Sequence, residues 1–122
     1  MFEVAIEVWF SAAHSLRHYR GKCEELHGHN WKVEVTTMRE DLDEIGMVID
    51  FKILKEKTRE IMELLDHHYL NELQPFTEQN PSSENIARYL YGELRTALQE
   101  EKVKLSRVTV WESEGAKATY YE

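Results

Sequence analysis

Phe2-Glu3-Val4-Ala5-Ile6-Glu7-Val8-Trp9-Phe10 sets apolar Phe2, Val4, Ile6, Val8 and Phe10 on one parity and Glu3 and Glu7 on the other. Successive side chains of an extended chain point to opposite faces, so a period of two describes a strand with one buried face and one wet face. A second run repeats the pattern, with Trp31, Val33 and Val35 against Lys32, Glu34 and Thr36, ending near Arg39. Two half-buried strands need something to cover their apolar side, and that need decides the fold class. The stretch between them, residues 11–28, loses the alternation and reads as irregular.

Cover comes from two helical patterns downstream. Asp50 can cap a helix whose apolar positions Leu54, Ile61, Leu64 and Leu65 recur at helical spacing, ending near Asp66. Pro81-Ser82-Ser83-Glu84-Asn85 is a second helix start, because a serine oxygen accepts from an unpaired N–H and an early Glu complements the positive dipole end. Ile86, Leu90, Leu94 and Leu98 form its buried stripe. Residues 105–113 and 116–121 alternate again around the Glu114-Gly115 turn and read as a hairpin. The order β, β, α, α, β, β predicts an α+β fold, a four-stranded antiparallel sheet with two helices on one face, as a single domain over residues 1–122. Four strands leave two open edges, which invite pairing with other copies of the chain.

Composition narrows the function. Fifteen Lys plus Arg against twenty-three Asp plus Glu give net charge -8, which argues against a nucleic-acid surface, since that footprint needs a basic face. No apolar run approaches the roughly 18 residues of a membrane span, and Glu3 and Glu7 interrupt the first apolar stretch, so neither a membrane segment nor a targeting leader is expected. The single cysteine, Cys23, is expected to be a free thiol in a reducing compartment, the cytoplasm.

Three of the six histidines carry the chemistry. His27 and His29 share the parity of Trp31, and His14 shares that of Phe10. If the two strands pair, three neutral imidazoles converge, an arrangement that suits catalytic zinc with a fourth position left open. Cys23 could instead close that shell as a fourth ligand, giving a structural zinc-binding oligomer with no chemistry. Asp66-His67 reads as a helix end, where His67 and His68 meet the negative dipole. Glu112 lies on the parity of Val108 and Val110, where an unpaired carboxylate is costly, so a ligand or an ion pair is expected there. Arg17, His18, Arg20 and Lys22 form a local cationic stretch, which reads as a solvated loop or as the place where an acidic chain holds an anionic ligand.

Phe10-Ser11-Ala12-Ala13-His14, Cys23-Glu24-Glu25-Leu26-His27-Gly28-His29-Asn30, Leu65-Asp66-His67, the Pro81 to Asn85 run and Trp111-Glu112-Ser113 together resemble the 6-pyruvoyl-tetrahydropterin synthase family, in order and over essentially the whole chain. Within it they are most similar to the queuosine branch, which forms 6-carboxytetrahydropterin. The resemblance implies the tunnelling fold (T-fold), whose subunits join their sheets into a barrel and stack as a hexamer, a dimer of trimers, with active sites at subunit interfaces. It implies Zn2+ on His14, His27 and His29, catalytic roles for Cys23, Asp66 and His67, and a pterin anchored by Glu112 with hydroxyls from Ser82 and Ser83. The implied reaction converts 7,8-dihydroneopterin triphosphate, its phosphates met by the stretch from Arg17 to Lys22, to 6-carboxytetrahydropterin with loss of acetaldehyde and triphosphate. Two related outcomes stay open: a 6-pyruvoyl product, and a folate-pathway 6-hydroxymethyl product through Glu24, which stands where a related branch carries its catalytic Glu.

Overall fold

The structure is a computed structural model that describes residues 1–21 and 24–122. Strands β1 (Phe2–His14) and β2 (His27–Arg39) are followed by helix α1 (Phe51–Met62), a short 3-10 turn (Leu70–Glu72), helix α2 (Ser83–Ala97), and strands β3 (Lys104–Ser113) and β4 (Ala116–Tyr120). The strands form one antiparallel sheet in the order β1-β2-β3-β4. The α+β architecture is therefore the expected one.

Alternation becomes burial along each strand. Ile6, Val8, Phe10, Trp31, Val33, Val35, Val108 and Val110 point to the helix side and are buried, while Glu3, Glu7 and Trp9 stay on the open side. α1 contributes Leu54, Ile61 and Met62 to this core, and α2 contributes Ile86, Leu90 and Leu94, with Leu98 just beyond its end. Both helix starts carry the side-chain caps expected of them. Asp50 Oδ1 accepts from the Lys52 N–H at 2.8 Å, and Ser82 Oγ accepts from the Asn85 N–H at 3.1 Å.

Three local expectations change. The segment taken as irregular is shorter, since β1 continues to His14 and β2 begins at His27. Ala12 and His14 keep the inward parity of Phe10 and are buried, although Ser11, Ala12 and Ala13 are weak strand formers. α1 stops at Met62 rather than near Asp66, and Leu64 is 56% exposed while Leu65 is buried. There the Leu64 and Leu65 N–H groups bond to Ile61 and Met62 three residues back, and this tighter winding rotates Leu64 out of the stripe. Phe2 is exposed at the end of the sheet despite its parity.

The chain after α1 then runs beside the edge of β1. Asp66 Oδ1 accepts from the Ser11 N–H at 2.8 Å, the His67 N–H donates to Ser11 O at 2.6 Å, and the Ala13 N–H donates to His68 O at 3.1 Å. Residues 66–69 therefore cover the last part of this edge strand and satisfy backbone groups that would otherwise be free.

Candidate metal centre

Register places the histidines. β1 and β2 pair without interruption, so His14 stands directly opposite His27 and Ala12 opposite His29. All three imidazoles project to the helix side at the open end of the sheet, with ring centroids 4.6 to 5.1 Å apart. Trp31 forms their apolar floor, edge-on to His14 at 4.9 Å and to His29 at 5.3 Å, its indole N–H donating to Ala12 O at 3.2 Å.

The hydrogen bonds fix what the imidazoles offer. His14 Nδ1 donates to Pro81 O at 2.8 Å and His27 Nδ1 donates to Glu25 O at 2.9 Å. A carbonyl only accepts, so both protons of the neutral rings sit on Nδ1 and both Nε2 atoms present lone pairs. Those Nε2 atoms are 3.0 Å apart. Two lone pairs at that distance repel unless a cation lies between them. His29 Nε2 is buried with the Glu112 carboxylate as its polar neighbour, and burial holds its imidazole below the ordinary value, toward the neutral form a metal requires, against the raising effect of that carboxylate.

Glu112 supplies a fourth group that the sequence reading assigned to substrate instead. Its Oε1 lies 2.9 Å from His29 Nε2, 3.3 Å from His14 Nε2 and 3.8 Å from His27 Nε2. Ligand atoms of these four residues all lie within 4.8 Å of one another. Tetrahedral zinc, with bonds of roughly 2.0 to 2.1 Å, sets its ligands about 3.3 Å apart, so nitrogen-rich donors at this spacing fit zinc. The inward parity of Glu112 was legible; its approach to the histidines was not. Trp111 pairs with Lys32, which puts Glu112 one rung further, level with Trp31, and the β3–β4 register slips between Trp111 and Ser113.

The remaining candidate residues lie around this cluster. Asp66 Oδ2 lies 3.0 Å from His67 Nδ1, and the Asp66 carboxyl is held below its ordinary value first by the Ser11 N–H and then by His67. His67 is 81% exposed and adopts a left-handed backbone, φ 60°. It borders a shallow depression lined on the sheet by Ser11, Ala12, Ala13, Gly28, His29 and Asn30, so that one residue of the histidine cluster also reaches it. Within one chain the Asp66-His67 pair lies along the outer edge of β1, beside Ser11. Glu24 bonds its backbone N–H to Leu16 O at 2.8 Å, and its Oε1 lies 3.6 Å from His27 Nδ1. Ser82 and Ser83 begin α2, directly after the Pro81 carbonyl that holds His14. Arg17 does not reach outward for phosphate: its guanidinium donates to Asn71 O, Phe76 O and Gln79 O. Cys23 and Lys22 lie outside the described residues.

The family model described as 6-pyruvoyl tetrahydropterin synthase matches residues 3–122. The chain belongs to that family. A 6-carboxy-5,6,7,8-tetrahydropterin synthase of Synechocystis is 37% identical over 102 residues, covering 80% of this chain and 78% of that protein. A dihydroneopterin monophosphate aldolase of Pyrococcus furiosus is 37% identical over 103 residues, covering 84% of this chain and 82% of its own. Among solved structures, the 6-pyruvoyl tetrahydropterin synthase of Caenorhabditis elegans superposes with a TM-score of 0.83 at 26% identity, over 100% of this chain and 97% of the other. The sheet and helices are accordingly the T-fold of the 6-pyruvoyl tetrahydropterin synthase family, and this family member is a pterin enzyme. No helix among the described residues is long and apolar enough to cross a membrane.

Proposed function

We propose that the chain is a zinc-dependent carbon-carbon lyase, a 6-carboxy-5,6,7,8-tetrahydropterin synthase of queuosine biosynthesis. It converts 7,8-dihydroneopterin triphosphate to 6-carboxytetrahydropterin, releasing acetaldehyde and triphosphate. The observation that carries the reading is the convergence of three imidazole Nε2 atoms, two of them 3.0 Å apart with their Nδ1 protons committed to carbonyls. Relatives bearing that enzyme name over most of the chain support the choice of product.

In this reading His14, His27 and His29 hold Zn2+, which when bound supplies a Lewis acid for the hydroxyls of the substrate side chain. Cys23, as its thiolate, takes a proton from that side chain. With Nδ1 turned to Asp66 Oδ2, His67 exchanges protons through Nε2, and the carboxylate stabilises the imidazolium so formed. Glu112 accepts the adjacent N–H donors of the amino-pyrimidine edge, and Ser82 and Ser83 add hydroxyl contacts at the start of α2. Asp66 and His67 lie along the outer edge of β1, an edge open to another copy, and in this reading the complete site takes His67 from a second copy, in line with a homohexamer built as a dimer of trimers. The reading includes one domain over residues 1–122 and a cytoplasmic location, supported by the single cysteine.

A second reading has its own support. Glu24 lies beside His27, and the Pyrococcus furiosus relative is named as an aldolase. A Glu24 base would give a 6-hydroxymethyl product. Incubating zinc-loaded protein with dihydroneopterin triphosphate and identifying products by mass spectrometry separates these outcomes: 6-carboxytetrahydropterin with acetaldehyde is expected, and a pyruvoyl or hydroxymethyl pterin as sole product overturns the assignment. Activity lost in Cys23→Ala and kept in Glu24→Gln is the matching genetic result.

A further inference from the structure

His14 is the most buried of the three imidazoles, 1% exposed, and its single hydrogen bond to the protein through Nδ1 goes to a loop residue 67 positions away, Pro81. Its orientation therefore depends on how firmly residues 71–81 are held against the chain leaving β1.

Two carboxamides make that junction. The Ser15 N–H donates to Asn71 Oδ1 at 2.9 Å while Asn71 Nδ2 donates to Ser15 O at 2.8 Å. Two residues on, the Arg17 N–H donates to Asn80 Oδ1 at 2.8 Å while Asn80 Nδ2 donates to Arg17 O at 2.9 Å. Each amide thus replaces one rung of a missing neighbour strand, a task that needs an acceptor and a donor on one short side chain. Arg17 closes the loop from the other direction, donating to Phe76 O at 2.7 Å and to Asn71 O and Gln79 O at 3.2 Å. A guanidinium has enough donors in a rigid fork to serve three carbonyls at once, whereas a lysine ammonium is a single point. Asn80 O in turn accepts from Asn85 Nδ2 at 2.9 Å, tying the same segment to the first turn of α2.

These bonds bracket one contact. Asn71 holds the residue after His14, and Asn80 is the residue before Pro81. We propose that Arg17, Asn71 and Asn80 are positioning residues of the metal centre: together they hold the Pro81 carbonyl on His14 Nδ1, so that Nε2 is kept as a bare ligand aimed at the cluster. The inference rests on the metal-centre reading. Loss of the lock lets Pro81 O drift from Nδ1, frees the ring to rotate or to carry its proton on Nε2, and weakens metal binding, as loss of an outer hydrogen bond to a ligating histidine does.

The test uses full-length protein with zinc and with cobalt(II) as a spectroscopic probe. Asn80→Ala and Arg17→Ala, with the milder Asn80→Asp and Arg17→Lys in case the alanines fold poorly, are compared with Tyr91→Phe, which removes a buried hydrogen bond to Leu105 O outside the site. Zinc affinity by chelator competition is expected to fall about 10- to 100-fold in the lock variants, with an altered cobalt visible spectrum. Tyr91→Phe is expected to lower the apo-protein melting temperature and leave affinity and spectrum as in the parent. Parent-like affinity and spectrum in the folded lock variants overturn the positioning role while leaving the metal centre intact. An equal affinity loss in Tyr91→Phe also overturns it, by reducing the effect to stability. A parent protein that binds no zinc overturns the metal reading and this inference together.

Discussion

At the scale of single residues, Glu112 and His67 carry the sharpest consequences. Glu112 is a pterin anchor in the proposed function, yet its Oε1 lies within 3.8 Å of the Nε2 atoms of all three histidines. Glu112→Gln separates the two roles: zinc content is expected to stay near that of the parent while KM rises about 10- to 100-fold, the cost of losing a charge-assisted pair worth roughly 1.5 to 3 kcal/mol. Loss of zinc in that variant would instead make Glu112 a ligand. His67 is held at φ 60°, where a side chain costs roughly 1 kcal/mol and glycine costs little. His67→Gly is therefore expected to be more stable than His67→Ala by about 1 kcal/mol in urea unfolding, with both inactive, and equal midpoints would remove the backbone argument. Asp66 adds a pH signature. Its carboxyl lies below its ordinary value, chiefly through the Ser11 N–H, so it binds its proton more weakly folded than unfolded. The stability it lends is complete above the ordinary carboxylate range and is lost as pH falls through the lowered value. Asp66→Asn is expected to flatten the acid side of the stability profile without changing its slope near neutrality, and an unchanged acid limb would contradict this.

At the scale of elements, what could be read from the sequence was what repeats. Period-two runs gave all four strands and the inward parity of His14, His27, His29 and Glu112; the Asp50 and Ser82 caps gave both helix starts. Parity states a face and not a neighbour, which is why the β2–β3 register that sets Glu112 level with Trp31, beside the histidines, left no trace in the pattern. Nor could residues 66–69 be seen as an edge cover, since that role is written in backbone bonds to Ser11 and Ala13. Arg17 was misread for the same reason: a surface cation and a guanidinium spanning three carbonyls of a distant loop look alike in sequence. The elements also rank in stability. Leu90 sits fully buried where α2 meets the sheet, whereas Asp50 caps α1 through one exposed bond. Leu90→Ala is expected to cost about 2 to 5 kcal/mol and Asp50→Ala about 1 kcal/mol, read as shifts of the denaturation midpoint, and the reverse order would contradict the packing described.

For the whole molecule, the question is how Asp66-His67, held along the edge of β1, meets the histidine cluster in the proposed function. Residues 66–69 cover the end of β1 at Ser11 and Ala13, while the stretch from Phe2 to Trp9 has no such cover on its outer side among the described residues. An uncovered edge strand is a pairing surface for another copy, and closed rings of copies remove such edges altogether. Division of the site predicts complementation. In the proposed function His14→Ala lacks a metal ligand but keeps Asp66-His67, and His67→Ala keeps the three-histidine cluster but lacks the proton carrier; each alone is expected to be inactive. If every site takes its histidine cluster from one copy and His67 from another, random mixing at equal amounts leaves about a quarter of the sites with both parts intact. Co-expressed or co-refolded mixtures are then expected to recover roughly that share of parent activity, with zinc bound at about half of the subunits. Mixing preformed oligomers without subunit exchange should recover none. Absence of recovery in a verified mixed oligomer would mean that the site closes within one chain, and that His67 reaches the cluster by a rearrangement of residues 66–69 away from β1.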